Sequence, residues 1–272
     1  MEPFVFALGL TLCAGMATAL GAAMAFFTKR DSSRLLSIGL GFSAGVMIYV
    51  SFGEILVKAR QGLSEATQDI ILSEVITLLA FLGGFLVCYV IDRSVPDDIN
   101  PHELKSSQTL LRLDQEQERT LLRRTALFTA LAIAIHNFPE GFATFIAGLD
   151  GMSFGIPIAI AVAIHNIPEG MAISLPLYYA TGDRQKAFWY AVASGMAEPL
   201  GAVIGYVILF PFMTPMMMGI VYGVVAGIMI YICFDELLPS ARIYGDSHTA
   251  MIGLGSGMGV MGASLIMLKA WV

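Results

Sequence analysis

Two short segments hold the residues best suited to chemistry: His136-Asn137-Phe138-Pro139-Glu140-Gly141 and His165-Asn166-Ile167-Pro168-Glu169-Gly170. Each offers an imidazole, an amide and a carboxylate. Residues four apart on a helix share a face, so His136 pairs with Glu140 and His165 with Glu169, with Asn137 and Asn166 one step round. Pro139 and Pro168 have no N–H, which leaves the carbonyls of Ile135 and Ile164 without their helical donors. Gly141 and Gly170 permit close approach of the two helices. A third segment, Ser194 to Leu200, adds Glu198 and a further helix-disrupting residue, Pro199. Two imidazoles, three carboxylates and two amides suit Zn²⁺, Fe²⁺, Mn²⁺ or Co²⁺, and without thiolates they argue against a Cu⁺ path.

Seven side chains exceed one tetrahedral site. The expectation is two adjacent positions bridged by Glu140 and Glu169, one completed by His136 and His165, the other by Asn137, Asn166 and Glu198. Weak, oxygen-rich coordination favours release of an ion as well as its admission.

The elements that must position these groups are membrane helices. The chain is 57% hydrophobic and 13% charged, with a mean hydropathy of +0.76, more apolar than a water-facing surface accommodates. Eight stretches reach the roughly 20 apolar residues that span a bilayer. They begin near Pro3, Leu35, Ile70, Thr125, Gly155, Phe188, Pro215 and Ile252, and end near Phe27, Val57, Ile91, Gly148, Tyr179, Phe212, Leu238 and Trp271. The expected fold is therefore all-α, one transmembrane domain over residues 1–272. The first stretch has no basic start and runs into Lys29-Arg30, so it reads as a retained span rather than a signal peptide. His136, His165 and Glu198 each fall roughly ten residues into their spans, near the midplane. Ionisable groups there cost a few kcal/mol each even on lenient scales, and a divalent cation compensates. For one His-Asn pair, hydrogen-bonded glue between helices would serve as well; two copies plus Glu198 favour the metal.

Gly41 to Leu56 and Gly223 to Leu238 are identical at nine of sixteen positions, and Ala132 to Gly141 and Ala161 to Gly170 at eight of ten. With the N-terminus outside, twelve of the fifteen basic residues face inward, leaving Lys58, Arg60 and Lys269 outside, the asymmetry expected of cytoplasmic loops. Both termini are then outside and both repeated pairs run antiparallel, a 3+2+3 inverted-repeat arrangement. Such inversion, with helix breakers at matching positions, points to a transporter site. Gly41/Gly45, Gly223/Gly227 and Gly253/Gly257 read as close helix contacts. Residues 92–120 form the long cytoplasmic loop between the third and fourth spans; its lone His102 does not make it a metal-binding loop. Cys13, Cys88 and Cys233 lack metal-ligand spacing and read as buried thiols. No basic patch suggests nucleic acid. Met47, with its repeat partner Met229, is a candidate soft ligand on the pathway; Glu54, Asp235 and Glu236, toward span ends, are candidate waystations. Tyr49, Tyr231, Trp189 and Trp271 read as interfacial anchors.

The paired His-Asn-x-Pro-Glu-Gly segments, Ser194 to Pro199, and Asp235 to Pro239 at the end of the seventh span resemble the ZIP (zinc and iron regulated transporter-like) family over nearly the whole chain. The resemblance implies eight spans, import of divalent metals into the cytoplasm across the cell membrane, and a binuclear site at His136, Asn137, Glu140, His165, Asn166, Glu169 and Glu198, with Met47 and Glu236 as pathway contributors. It further implies zinc, iron, cobalt and manganese as substrates, and raises a homodimer as an option. The ions are cargo; no separate cofactor is expected, and the partners are the lipid bilayer and the metals. Many eukaryotic members have a His-rich loop, which this chain lacks. The alternative is an intramembrane metal-dependent hydrolase using the bound ion to activate water. The sequence disfavours it: there is no His-Glu-x-x-His, and inverted repeats have no obvious use in hydrolysis. The chain is expected not to be an enzyme.

Overall fold

The structure, a computed structural model, describes residues 3–27, 33–94, 115–149, 151–209, 212 and 214–271. Its helices are α1 Pro3–Phe27, α2 Ser33–Val50, α3 Leu56–Thr67, α4 Ile70–Ser94, α5 Gln115–Leu149, α6 Met152–Thr181, α7 Arg184–Gly195, α8 Ala197–Leu209, α9 Pro215–Ile232, α10 Leu238–Tyr244 and α11 Ser247–Trp271. A π-helical turn, Ser51–Ile55, joins α2 to α3 without a break, and another, Cys233–Leu237, joins α9 to α10. The two turns lie 182 residues apart, the offset of the sequence repeat.

Among the described residues seven helical segments are long and apolar enough to cross a bilayer: Pro3–Phe27, Ser37–Thr67, Ile70–Val90, Gly155–Thr181, Arg184–Ile208, Pro215–Arg242 and Ser247–Met267. The chain is an all-α polytopic membrane protein. The stretch expected over 125–148 lies within α5, a continuous helix of 35 residues. The second segment outruns its expected end at Val57 because Leu56, Ala59 and Leu63 extend a buried helical stripe to Thr67. Helices α4 and α5 likewise enter the expected 92–120 loop from both ends; residues 95–114, His102 among them, lie outside the described residues.

Exposure is distributed as lipid solvent demands. On α4, Ile70, Ile71 and Leu79 are 62–77% exposed, whereas His136, His165 and Glu198 are fully buried. Capping residues set the short connections. Asp183 accepts from the Lys186 N–H (3.0 Å) at the start of α7, and Thr214 accepts from the Met217 N–H (3.2 Å) ahead of Pro215. Helix α1 packs along α6, α2 along α11, and α9 against α4 and α3, while α5 lies against α6 and α8. Small residues make these contacts close: α1 buries Ala7, Ala14, Gly15, Thr18, Gly21 and Ala22. As the spacing predicts, the α2–α11 seam is a small-residue contact, and a Cβ on Gly257 would stand 2.2 Å from the Phe42 carbonyl oxygen.

Gly257→Val should therefore overpack this seam by about 1–3 kcal/mol and lower the thermal unfolding midpoint of the detergent-solubilised protein. Gly255→Ala, where a Cβ meets nothing within 4 Å, should leave the midpoint unchanged.

Candidate metal site

Helices α5 and α6 run unbroken through Pro139 and Pro168 and bring both motifs into one buried cluster. His136 Nε2 lies 3.0 Å from Glu169 Oε1 and 3.8 Å from Glu140 Oε2. His165 Nε2 lies 2.7 Å from Glu140 Oε1, without the alignment of a hydrogen bond. Each glutamate thus faces the histidine of the other helix. Ligand atoms of His136, Glu140 and Glu169 lie within 4.8 Å of one another and could hold one metal ion. Tetrahedral ligands at zinc bond lengths are about 3.3 Å apart, between the two distances at His136.

The third carboxylate arrives by a different local route. The segment Arg184–Ile208 breaks at Met196, between α7 and α8, because Pro199 has no N–H to offer the Gly195 carbonyl. Glu198 consequently sits in the first turn of α8, where unpaired backbone N–H groups and the helix dipole favour a carboxylate. Asn166 Nδ2 donates to Glu198 Oε1 and to the Ala14 carbonyl of α1 (2.8 Å). Asn137 Nδ2 donates to the Ser194 carbonyl of α7 (3.3 Å). These bonds leave the Oδ1 atoms of both asparagines buried and unpartnered.

The motif glycines do allow close approach, though not of α5 to α6. A Cβ on Gly141 would stand 2.1 Å from the Glu198 carbonyl oxygen of α8, and one on Gly170 would stand 2.0 Å from the Thr18 oxygen of α1. The two helices share their ligands across one face and turn their glycines outward to different neighbours. The contributions of Ala14 and Ser194 are backbone carbonyls, which every residue possesses; the small-residue composition of α1 is the nearest thing to a signal for the first.

The pathway candidates divide. Met47 is fully buried, and its repeat partner Met229 has its sulfur 3.7 Å from Ser51 Oγ, which also donates to the Met47 carbonyl (2.7 Å). The repeats thus meet around Ser51, and both methionines belong to the apolar core. Glu54, in the first π turn, is paired with Lys58 (Nζ to Oε1, 3.1 Å). Both line a cavity whose wall also includes Glu140, Thr144 and His165. Asp235 and Glu236 lie in the second π turn. The Tyr231 hydroxyl is within hydrogen-bonding reach of Asp235 and of Asp92. Tyr231 is not the interfacial anchor its position suggests: it is buried, edge-on to Phe85 at 5.0 Å between centroids. The three cysteines are free; Cys13 is exposed rather than buried, and Cys233 is buried.

A lipid-facing helical exterior around a buried cluster of cation ligands defines a membrane protein that handles a cation within its helix bundle. The ZIP zinc transporter family model matches residues 96–265. The zinc transporter ZupT of Campylobacter jejuni is 50% identical over 98% of this chain and 98% of its own length. Those of Nitratidesulfovibrio vulgaris (51%, covering 97% of each chain) and Oceanobacillus iheyensis (50%, covering 98% of this chain and all of its own) are similarly related. The chain belongs to the ZIP family. It is a transporter of the cell membrane rather than an enzyme, and the hydrolase reading is not favoured.

Gly141→Ala drives a methyl group into the Glu198 backbone and must displace α8. It should cut metal uptake roughly tenfold, the equivalent of about 1.4 kcal/mol. Gly9→Ala, where a Cβ meets nothing within 4 Å, should leave uptake unaltered in the same cells.

Proposed function

We propose that this chain imports zinc into the cytoplasm, and accepts iron, manganese and cobalt, through two adjoining positions built by α5, α6 and α8. One observation carries the reading. His136, Asn137, Glu140, His165, Asn166, Glu169 and Glu198 are all buried, and each keeps at least one polar atom without a hydrogen-bond partner. Left so, each such atom costs about 1–3 kcal/mol; a divalent cation satisfies several at once. In the first position Glu140 and Glu169 bind together with His136 and His165. In the second the same glutamates bridge to Asn137 Oδ1, Asn166 Oδ1 and Glu198. That zinc is the main substrate follows from the relatives, which are named zinc transporters, and from the mixed nitrogen and oxygen ligands. The same ligand set extends to other first-row divalent ions.

The proposed transport path follows from the repeats. Helix α5 serves as an eighth span, and the spans form a 3+2+3 inverted arrangement with both termini outside. The matching π turns and the matching prolines of α5 and α6 support this symmetry. An inverted pair of units exchanges roles to open the site first to one side and then to the other.

Glu140→Ala and Glu169→Ala should each reduce uptake of radioactive zinc at least tenfold in importer-deficient cells, since each removes a shared bridge worth more than about 1.4 kcal/mol. Undiminished uptake in either variant sinks the site. Asn137→Asp adds charge to one position alone and should shift the ranking of zinc against iron in proteoliposome competition assays. An unchanged ranking would refute the two-position arrangement.

A further inference from the structure

The cavity that reaches Glu140 and His165 carries a residue that a cation path does not call for. Lys58 lines the cavity together with Glu54, and its ammonium repels any cation the cavity admits. Yet Lys58 Nζ lies 3.1 Å from Glu54 Oε1, with the two side chains 12% and 20% exposed. The ammonium is held on the carboxylate that an arriving cation would meet. The local fold enforces this pairing. Glu54 belongs to the π turn Ser51–Ile55, and Lys58 stands one turn later in α3, at the i,i+4 position.

The repeat shows that this counter-charge belongs to one half of the molecule. Under the 182-residue offset Glu54 corresponds to Glu236, and both lie in π turns, but Lys58 corresponds to Ser240. The second π turn bears Asp235 beside its glutamate, where the first has Gly53. The glutamate is repeated in the sequence; the lysine four positions after it is not.

We propose that Lys58 is a tethered cation that occupies Glu54 until a divalent ion displaces it, so that the cavity mouth admits charge two over charge one. The proposal rests on the reading of this chain as a metal transporter. At equal distance a divalent ion is attracted to the Glu54 carboxylate about twice as strongly as the ammonium, and displaces it. An alkali ion has no such advantage and competes against a group held in place by its own chain. Thr144, one turn from Glu140, lines the same cavity with its buried hydroxyl unpartnered, and offers a further oxygen to an entering cation. Lys58 thus acts through Glu54 and does not ligate the cargo.

The test is zinc flux into proteoliposomes holding the full chain, with external potassium exchanged for N-methylglucamine at constant ionic strength. In the wild type and in Lys58→Arg, the KM for zinc should not respond to the exchange. Lys58→Met should lower KM by about three- to tenfold in N-methylglucamine, with kcat retained, and potassium should raise KM again. Lys58→Gln provides the same comparison if the methionine variant does not reconstitute. Adding Glu54→Gln to Lys58→Met should abolish both effects. A neutral Lys58 variant with wild-type KM and no potassium response, or one that loses only kcat, overturns the proposal. Absence of zinc flux from wild-type liposomes would instead overturn the transport reading, and the proposal with it.

Discussion

Three carboxylates, Glu140, Glu169 and Glu198, converge inside a helix bundle whose exterior is apolar, each at most 3% exposed. Charges so placed repel one another and have lost the water that would screen them. The surrounding structure is organised around that constraint. Two histidines stand against two of the carboxylates, and an amide N–H and the first turn of α8 stand against the third. To bring these groups together the helices must come closer than ordinary side chains allow. This explains why α1 is built from alanine, glycine and threonine, and why Gly141 and Gly170 abut the backbones of α8 and α1. The packing of the bundle is subordinate to the burial of charge.

The same constraint explains why the helices are irregular where they are. Pro139 and Pro168 lie beside the candidate ligands in α5 and α6, Pro199 follows Glu198, and the π turns that join α2 to α3 and α9 to α10 carry Glu54 and Glu236. Each irregularity frees or re-aims backbone polar groups at a place where an ion could use them. The two π turns recur at the 182-residue offset of the sequence repeat. Their surroundings differ: Lys58 in one copy, Asp235 and the nearby Asp92 in the other.

Much of this was legible in the residues because helical spacing is local. His136 with Glu140, and His165 with Glu169, share a face by arithmetic alone, and burial of all seven ligand candidates follows from their place in apolar runs. What escaped was long-range pairing. Nothing in the periodicity of α5 indicates that Gly141 meets Glu198 rather than Gly170, or that Asn166 reaches the Ala14 carbonyl, 152 positions away. Tyr231 misled for a similar reason: position along a span fixes depth, but whether a side chain faces lipid or Phe85 depends on a neighbour remote in sequence.

The asparagines show how one residue type resolves two demands. Asn137 and Asn166 both donate through Nδ2 to backbone carbonyls, of Ser194 and Ala14 respectively. An aspartate in either place would set a carboxylate oxygen against a carbonyl oxygen, two acceptors with no proton between them, and would add a fourth negative charge to the cluster. The amide avoids both costs. Its nitrogen anchors the side chain to a neighbouring helix, while Oδ1, buried and unpartnered, remains as a neutral oxygen. Neutral oxygens hold a divalent ion less firmly than carboxylates do, and a site that must release its ion needs ligands of that kind. The anchoring bond also fixes the direction of the free oxygen, so weak coordination need not be loose coordination. In the proposed site, each histidine and the asparagine that follows it set one strong and one weak donor on adjacent positions of the same turn.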